Sequence, residues 1–189
     1  MKNSKKFLVI LMLVFMSSLF LVSCKKKDGI VLIPNYNLFK NAVYSFQYPS
    51  DWILTENGTN VTVTGPQVNA YFVNFKVDYN DQIDMSLDEF VKTVEEQNNL
   101  SAMPAFVDKG KTNIKLPVDQ SVQRTFTTNV NTAFSPEPIM LLVTLTYLVQ
   151  EKKIGYVMTT EVPNQASQNF NEIFFTIKNS FQYWSKIKK

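Results

Sequence analysis

The clearest helical pattern in the chain follows Ser86. Apolar residues then recur at positions i, i+3, i+4 and i+7, which places them on one face of a helix. These residues are Leu87, Phe90, Val91 and Val94. Ser86 and Glu89 also have the spacing of a capping box, in which each side chain accepts a hydrogen bond from the other residue's backbone N–H. The pattern predicts a helix that begins after Ser86 and ends at Asn98-Asn99.

Alternating apolar and polar residues predict strands on both sides of this helix. Between residues 71 and 79 every second residue is apolar, as in a strand with one buried face. Earlier in the chain, Asn57-Gly58 separates two short apolar runs and is a strong hairpin signal. Residues 139–149 are apolar almost throughout, which predicts a central strand covered on both faces.

Two further strands are predicted at residues 108–116 and 118–130, and they meet near Pro117. A loop at residues 100–106 enters the first strand, and a proline-rich loop at 131–138 leaves the second. If the two strands are antiparallel, both loops lie at the same end of the sheet.

A turn at Glu151-Lys152-Lys153 and a strand at 154–162 precede a second predicted helix after Pro163. The apolar face of this helix would contain Ala166, Phe170, Ile173, Phe174, Ile177, Phe181 and Trp184. Lys186, Lys188 and Lys189 would lie at its negative C-terminal end. Strands, a helix, four strands and a helix predict an α+β fold, a mostly antiparallel sheet with a helix on each face.

The N-terminal segment predicts export and anchoring. Residues 7–22 form an apolar run of sixteen residues behind three lysines. This is closer to the roughly 7–15 residues of a secretory signal than to the roughly 20 of a membrane span. Leu21-Val22-Ser23-Cys24 resembles the bacterial lipobox, which implies cleavage before Cys24 and a lipid on its sulfur. The alternative is an uncleaved anchor helix that ends in Cys.

We therefore predict a signal peptide at 1–23, a lipid-anchored tether at 24–36 and a single domain at 37–189. The membrane is the first expected partner, through acyl chains such as palmitate on Cys24, and the expected location is the exported side of a bacterial envelope membrane. Stable attachment needs two or more chains, which a diacylated Cys supplies. The lysines at 25–27 would add attraction to anionic headgroups.

Composition excludes many activities. Without residues 1–23 the chain has 16 basic and 16 acidic residues, and between Asp28 and Trp184 there are 10 basic and 16 acidic. This balance disfavours nucleic-acid binding, which needs a clustered basic face. The chain has no His, and its one Cys is Cys24. The domain therefore lacks a disulfide, a thiol nucleophile, a His base and the usual ligands of zinc. We predict no metal, no cofactor and no enzymatic activity.

Two short aromatic motifs resemble the PsbP-like family. An aromatic strand runs into Tyr48-Pro49 and then Trp52, and the last helix ends in Ile177-Lys178-Asn179-Ser180-Phe181. The resemblance covers roughly residues 37–184. It implies an α/β/α sandwich used for protein contacts. The founding members assist photosystem II, but nothing in this sequence indicates photosynthesis, so only the fold is carried over.

Two charged features have structural explanations. Asp78, Asp81, Asp84 and Asp88 form an acidic stretch, but their spacing does not match a calcium-binding loop. Arg124 would lie among apolar side chains, where it could bind an anionic ligand or, more commonly, pair with a neighbouring acid.

Three roles remain compatible with the sequence. The preferred one is a non-enzymatic envelope lipoprotein that binds a protein partner. The second is a carrier of a small molecule or lipid in an aromatic pocket, which requires a cavity of a few hundred Å³. The third is a hydrolase built on two converging carboxylates. The candidate partner-contact residues, in the two loops at one end of the sheet, are Met103, Pro104, Phe106, Phe134 and Pro136.

Overall fold

The computed structural model describes residues 26–27, 30–117 and 119–184. The chain divides into two compact units, Met1–Pro34 and Asn35–Lys189. In the first unit, strand β1 (Lys26–Lys27) pairs antiparallel with β2 (Ile30–Val31). The second, main unit contains the remaining described elements. Cys24 and the predicted signal peptide lie outside the described residues.

The described residues of the main unit form two α-helices, α1 (Leu87–Gln97) and α2 (Ser167–Asn179). Short 3-10 helices occupy Leu100–Ala102 and Asn164–Ala166. The strands are β3 (Tyr36–Lys40), β4 (Tyr44–Pro49), β5 (Ile53–Asn57), β6 (Asn60–Val68), β7 (Tyr71–Asp81), β8 (Val107–Lys115), β9 (Gln120–Thr132), β10 (Ser135–Gln150), β11 (Ile154–Pro163) and β12 (Gln182–Tyr183).

Seven strands form one antiparallel sheet in the order β5-β6-β7-β11-β10-β9-β8. A second sheet has three antiparallel strands in the order β12-β4-β3. Hairpins join most neighbours, including the predicted turns at Asn57-Gly58 and at Glu151-Lys152. Glu151 and Lys152 have φ values of 52° and 58°, as a tight hairpin turn requires.

Helix α1 begins where the sequence predicts. Ser86 Oγ accepts a hydrogen bond from Glu89 N, and Glu89 Oε2 accepts one from Ser86 N at 2.8 Å. The segment before the helix is attached to the β10–β11 turn, since Ile83 N donates to Lys153 O and Met85 N to Lys152 O. These bonds hold the start of α1 over one face of the large sheet.

The two faces of the large sheet carry separate cores, because successive side chains on a strand point to opposite faces. On β10 and β11, Tyr147 and Val157 belong to the core under α1, while Leu148, Tyr156 and Met158 belong to the core on the other face. That second core also includes side chains of α2 and of the three-stranded sheet. The predicted α+β fold with a helix on each face is confirmed.

Two predicted boundaries were wrong. Helix α2 ends at Asn179, because Gln182 and Tyr183 pair with β4 and leave Phe181 buried outside the helix. The segment 131–138 is not a long loop: β9 runs to Thr132, β10 starts at Ser135, and a register shift before Ile139 accommodates the prolines, which lack an N–H donor. The predicted central strand is β10, which lies inside the sheet beside the middle strand β11 and contributes side chains to both cores.

Candidate functional site

The predicted contact residues fall into two groups. Phe134 lies in the turn between β9 and β10 and is 69% exposed, and Pro136 is also exposed. Both line a shallow depression with Met140, Asn69 and Pro163 at one end of the sheet. Phe134 also shares a second depression with Phe72, which is 43% exposed. We call Phe72, Phe134, Pro136 and Met140 the sheet-end patch.

The other three predicted residues lie under and beside α1. Met103 and Phe106 are half-buried against the core on that face, and the Phe106 ring centroid is 5.2 Å from that of Phe126. Pro104 is exposed, but its carbonyl oxygen accepts hydrogen bonds from Asn129 N and Thr128 Oγ1, both at 2.8 Å. The loop is therefore attached to β9, and its apolar side chains complete a core rather than join the sheet-end patch.

A cavity of about 610 Å³ lies between α1 and the large sheet. Most of its apolar wall is formed by β9, β10 and the residues above them on α1 and the segment that follows it, with one residue from β11. These residues are Val94, Leu100, Met103, Phe126, Val130, Leu141, Val143, Leu145 and Val157. The volume is in the range of ligand-binding cavities, roughly 300–1,000 Å³.

The charged residues of the cavity lie on β7 and β11, which continue the same sheet. Glu161 is the best-supported of these residues: its carboxylate accepts hydrogen bonds from Lys76 Nζ and from Tyr71 Oη, each at 2.6 Å, and from Asn74 Nδ2 at 3.4 Å. The Glu161 side chain is only 16% exposed. Burial and the Glu161 charge raise the pKa of Tyr71, so this hydroxyl remains a donor at neutral pH.

Asp78 is the second carboxylate in the cavity wall. Partial desolvation raises its pKa, the positive charge on Lys76 opposes that shift, and the charge on Glu161 adds to it. In the β7–β11 register Asp78 pairs with Val157, four residues before Glu161, so the two backbone positions are about 13 Å apart along the strand. Glu161 is also engaged by Lys76 and Tyr71. This arrangement does not resemble the converging carboxylates of the hydrolase hypothesis.

The aromatic residues do not line this cavity as the carrier hypothesis expected. Tyr44, Phe46, Phe75, Tyr147, Tyr156 and Phe181 are among the largest fully buried side chains, and they fill the two cores. Tyr71 and Phe126 are the aromatic residues in the cavity wall. The cavity has the volume that the carrier hypothesis requires, but its apolar lining is mainly aliphatic and not aromatic.

Arg124 is paired with acids, as the more common alternative predicted. Its Nη1 is 2.6 Å from Glu95 Oε2 and its Nη2 is 2.8 Å from Asp108 Oδ2. Lys111 Nζ adds a third contact, 2.7 Å from Glu95 Oε2. This network joins α1 to β8 and β9 on the side away from β7 and β11.

The acidic stretch from Asp78 to Asp88 is spread over several elements. Asp78 and Asp81 belong to β7, Asp84 precedes the helix, and Asp88 lies in its first turn, where the dipole favours a negative charge. Among the described residues, no group of three or more His, Cys, Asp or Glu side chains is placed to hold a metal ion. In the same part of the chain, no helix is long and apolar enough to cross a membrane.

The architecture belongs to a known class of α/β/α sandwiches. Over most of its length the chain is similar to LpqN of Mycobacterium tuberculosis, described as involved in cell envelope biogenesis, with a TM-score of 0.56, 9% identity, and coverage of 78% of this chain and 90% of that one. It is similar to cyanobacterial PsbP (CyanoP) from Synechocystis sp. PCC 6803, with a TM-score of 0.55, 14% identity, and coverage of 84% and 98%.

The yeast Ran-binding protein Mog1p, from Saccharomyces cerevisiae, has a TM-score of 0.53 and 13% identity, with coverage of 78% of this chain and 95% of that one. No protein-family model matches the sequence, and neither does any curated protein. These similarities establish the PsbP/Mog1 fold, as the sequence motifs predicted.

Proposed function

We propose that this protein is a lipid-anchored accessory protein of the bacterial cell envelope, which acts by binding a protein partner and not by catalysis. The observation that carries the proposal is the sheet-end patch. Phe72, Phe134 and Met140 are 43%, 69% and 49% exposed at one end of the sheet. Grouped apolar side chains in solvent mark contact sites on soluble domains.

The solved relatives support a role of this kind. One is described as involved in cell envelope biogenesis and another as a Ran-binding protein, so the fold serves both in the envelope and in protein binding. The absence of His, and of any Cys after Cys24, removes most catalytic options from the sequence itself.

The anchor is the second part of the proposal. After cleavage behind Ser23, the acyl chains on Cys24 would hold the protein at a membrane. Lysines 25–27 would add attraction to anionic headgroups, and the short tether would link the anchor to the domain. Intact mass of the purified protein tests this. We expect a chain that begins at Cys24 and carries added lipid, and incorporation of an alkyne analogue of palmitate. A Cys24→Ser variant should lose the label. An unmodified chain that retains Met1 would contradict the anchor.

The partner contact is tested by photo-crosslinking in cells. A benzoylphenylalanine at position 134 should give a discrete crosslinked product, and a Phe134→Ser change should weaken the complex. Phe175 is a matched control, since it is 64% exposed on α2, away from the patch. Equal crosslinking at positions 134 and 175, or none at 134, would reject the patch as the contact.

A further inference from the structure

The cavity beside α1 has walls of opposite character. Most of its apolar side chains come from β9, β10 and the α1 segment, while its charged side chains, Lys76, Asp78 and Glu161, lie on β7 and β11. A bound molecule would therefore have a hydrocarbon part on one side and a polar part on the other. No residue of the sheet-end patch lines this cavity, although Tyr71 borders both the cavity and the depression that contains Phe72 and Phe134.

The charges on the polar wall determine which polar head of a bound molecule is favoured. Lys76 is ion-paired with Glu161 at 2.6 Å, so its positive charge is already compensated. Asp78 adds a second carboxylate, and the wall therefore carries one net negative charge. An anionic head would be repelled there, whereas a hydroxyl or an ammonium can donate to carboxylate oxygens.

We infer that this cavity is a binding site for a single-chain amphiphile whose aliphatic chain lies under α1 and whose head is a hydroxyl or an amine. The volume of about 610 Å³ accommodates a molecule of that size. The inference goes beyond the proposed partner contact and does not depend on it.

The site can be tested in membranes that contain the full chain. Three photoactivatable probes would share one alkyl chain with a diazirine and differ only in the head: alcohol, amine or carboxylate. We expect the alcohol and the amine to label peptides that contain Met103, Val143 or Val157. The carboxylate should label them at least threefold less. Labels spread over the surface, or equal labelling by all three probes, would overturn the inference.

Blocking variants distinguish the cavity from nonspecific labelling. Thr159→Phe adds a ring at the cavity wall, and Val94→Phe adds one from α1. Each should reduce labelling at least fivefold. Thr62→Phe is a matched control, because Thr62 pairs with Lys76 and Lys76 with Thr159, which places it in the same row of the sheet but outside the cavity. Undiminished labelling in both blocked variants would overturn the inference.

Charge variants test head selection. Glu161→Gln removes the net negative charge of the wall and should lower the ratio of amine-probe labelling to carboxylate-probe labelling at least threefold. Lys76→Met removes a positive charge and should raise this ratio. An unchanged preference in both variants would contradict selection by charge. Displacement of the probes only by an amphipathic peptide would identify a protein ligand and would also overturn the inference. Loss of the Phe134 crosslink would leave these results unaffected.

Discussion

At the scale of single residues, two glycines allow aromatic rings to pack on the sheet. A Cβ at Gly155 on β11 would collide with the Phe90 ring of α1. A Cβ at Gly65 would lie 2.6 Å from Cε2 of Trp52, which packs against Phe170 and Phe174 of α2. Each glycine therefore permits the close approach of one helix layer.

We expect Gly155→Ala to lower the free energy of unfolding by about 1–3 kcal/mol, the usual cost of overpacking a core. Phe90 is 2% exposed and its ring has little room to move. Urea unfolding measures the change. In a Phe90→Leu background the same substitution should cost less, because the colliding ring is gone. Equal costs in the two backgrounds would show that Phe90 is not responsible.

The sequence did not predict this pairing. Gly155 and Phe90 are far apart in the chain, and the helical pattern at Phe90 indicates a buried side chain without indicating its partner. The ion pairing of Arg124 was easier to predict, because a charged residue among apolar neighbours usually pairs with an acid. Only the fold identifies its partners as Glu95 and Asp108.

At the scale of elements, α2 carries a lysine in an unfavourable position. Lys178 Nζ donates to Gln123 Oε1 at 3.0 Å, and burial lowers its pKa from the usual value of 10.5. A lowered lysine pKa means that the charged form is less stable in the folded protein than in the unfolded chain. Lys178 therefore costs stability at neutral pH.

We expect Lys178→Met to raise the unfolding temperature at pH 7 by roughly 2–4 °C, the shift that about 1 kcal/mol produces in a domain of this size. The gain should fade as pH rises from the lowered pKa to 10.5, since above 10.5 the lysine is neutral in both the folded and the unfolded state. Thermal unfolding between pH 7 and 10 measures it. Lys92→Met on α1 is the control, because that side chain is 77% exposed. A loss of stability at pH 7 would contradict the prediction.

Local patterns predicted most elements but not where some of them end. The capping box at Ser86 is a local signal, and the helix starts there. Phe181 and Trp184 also match helical spacing, yet pairing of Gln182 and Tyr183 with β4 ends α2 earlier. A contact between segments so far apart in the chain overrides the local preference, and no local pattern contains it.

At the scale of the whole molecule, the buried residues of both cores belong to the main unit and are apolar or aromatic. We expect the protein to unfold at the same temperature with and without EDTA, because packing alone accounts for these cores. Thermal unfolding with added Ca²⁺ is the matched control. A lower midpoint with EDTA that Ca²⁺ restores would instead indicate a metal site, and the acidic segment from Asp78 to Asp88 would be the first place to look.

The cavity is the least predictable feature at this scale. Its wall includes Tyr71, Leu100, Phe126, Val143 and Glu161, which come from five separate segments. The strand order, with β7 beside β11, brings them together. From the sequence, a carrier role required a cavity of a few hundred Å³, but no pattern indicated where that cavity would lie. The sequence also predicted two apolar loops at one end of the sheet. It could not indicate that Met103 and Phe134 would end up in different places.

The separation of the two cores has a consequence for motion. Helix α1 buries only Phe90 and Val91, and the sheet beneath it is held from the other side by α2 and the three-stranded sheet. Its other attachments are the Glu95 ion pairs and the backbone bonds of Ile83 and Met85, so we expect the α1 layer to detach as a local unfolding event while the sheet remains intact. We expect backbone amides of α1 to exchange with deuterium well before those of β10 and β11. Each such opening would expose the sheet side of the cavity and would let a ligand enter or leave.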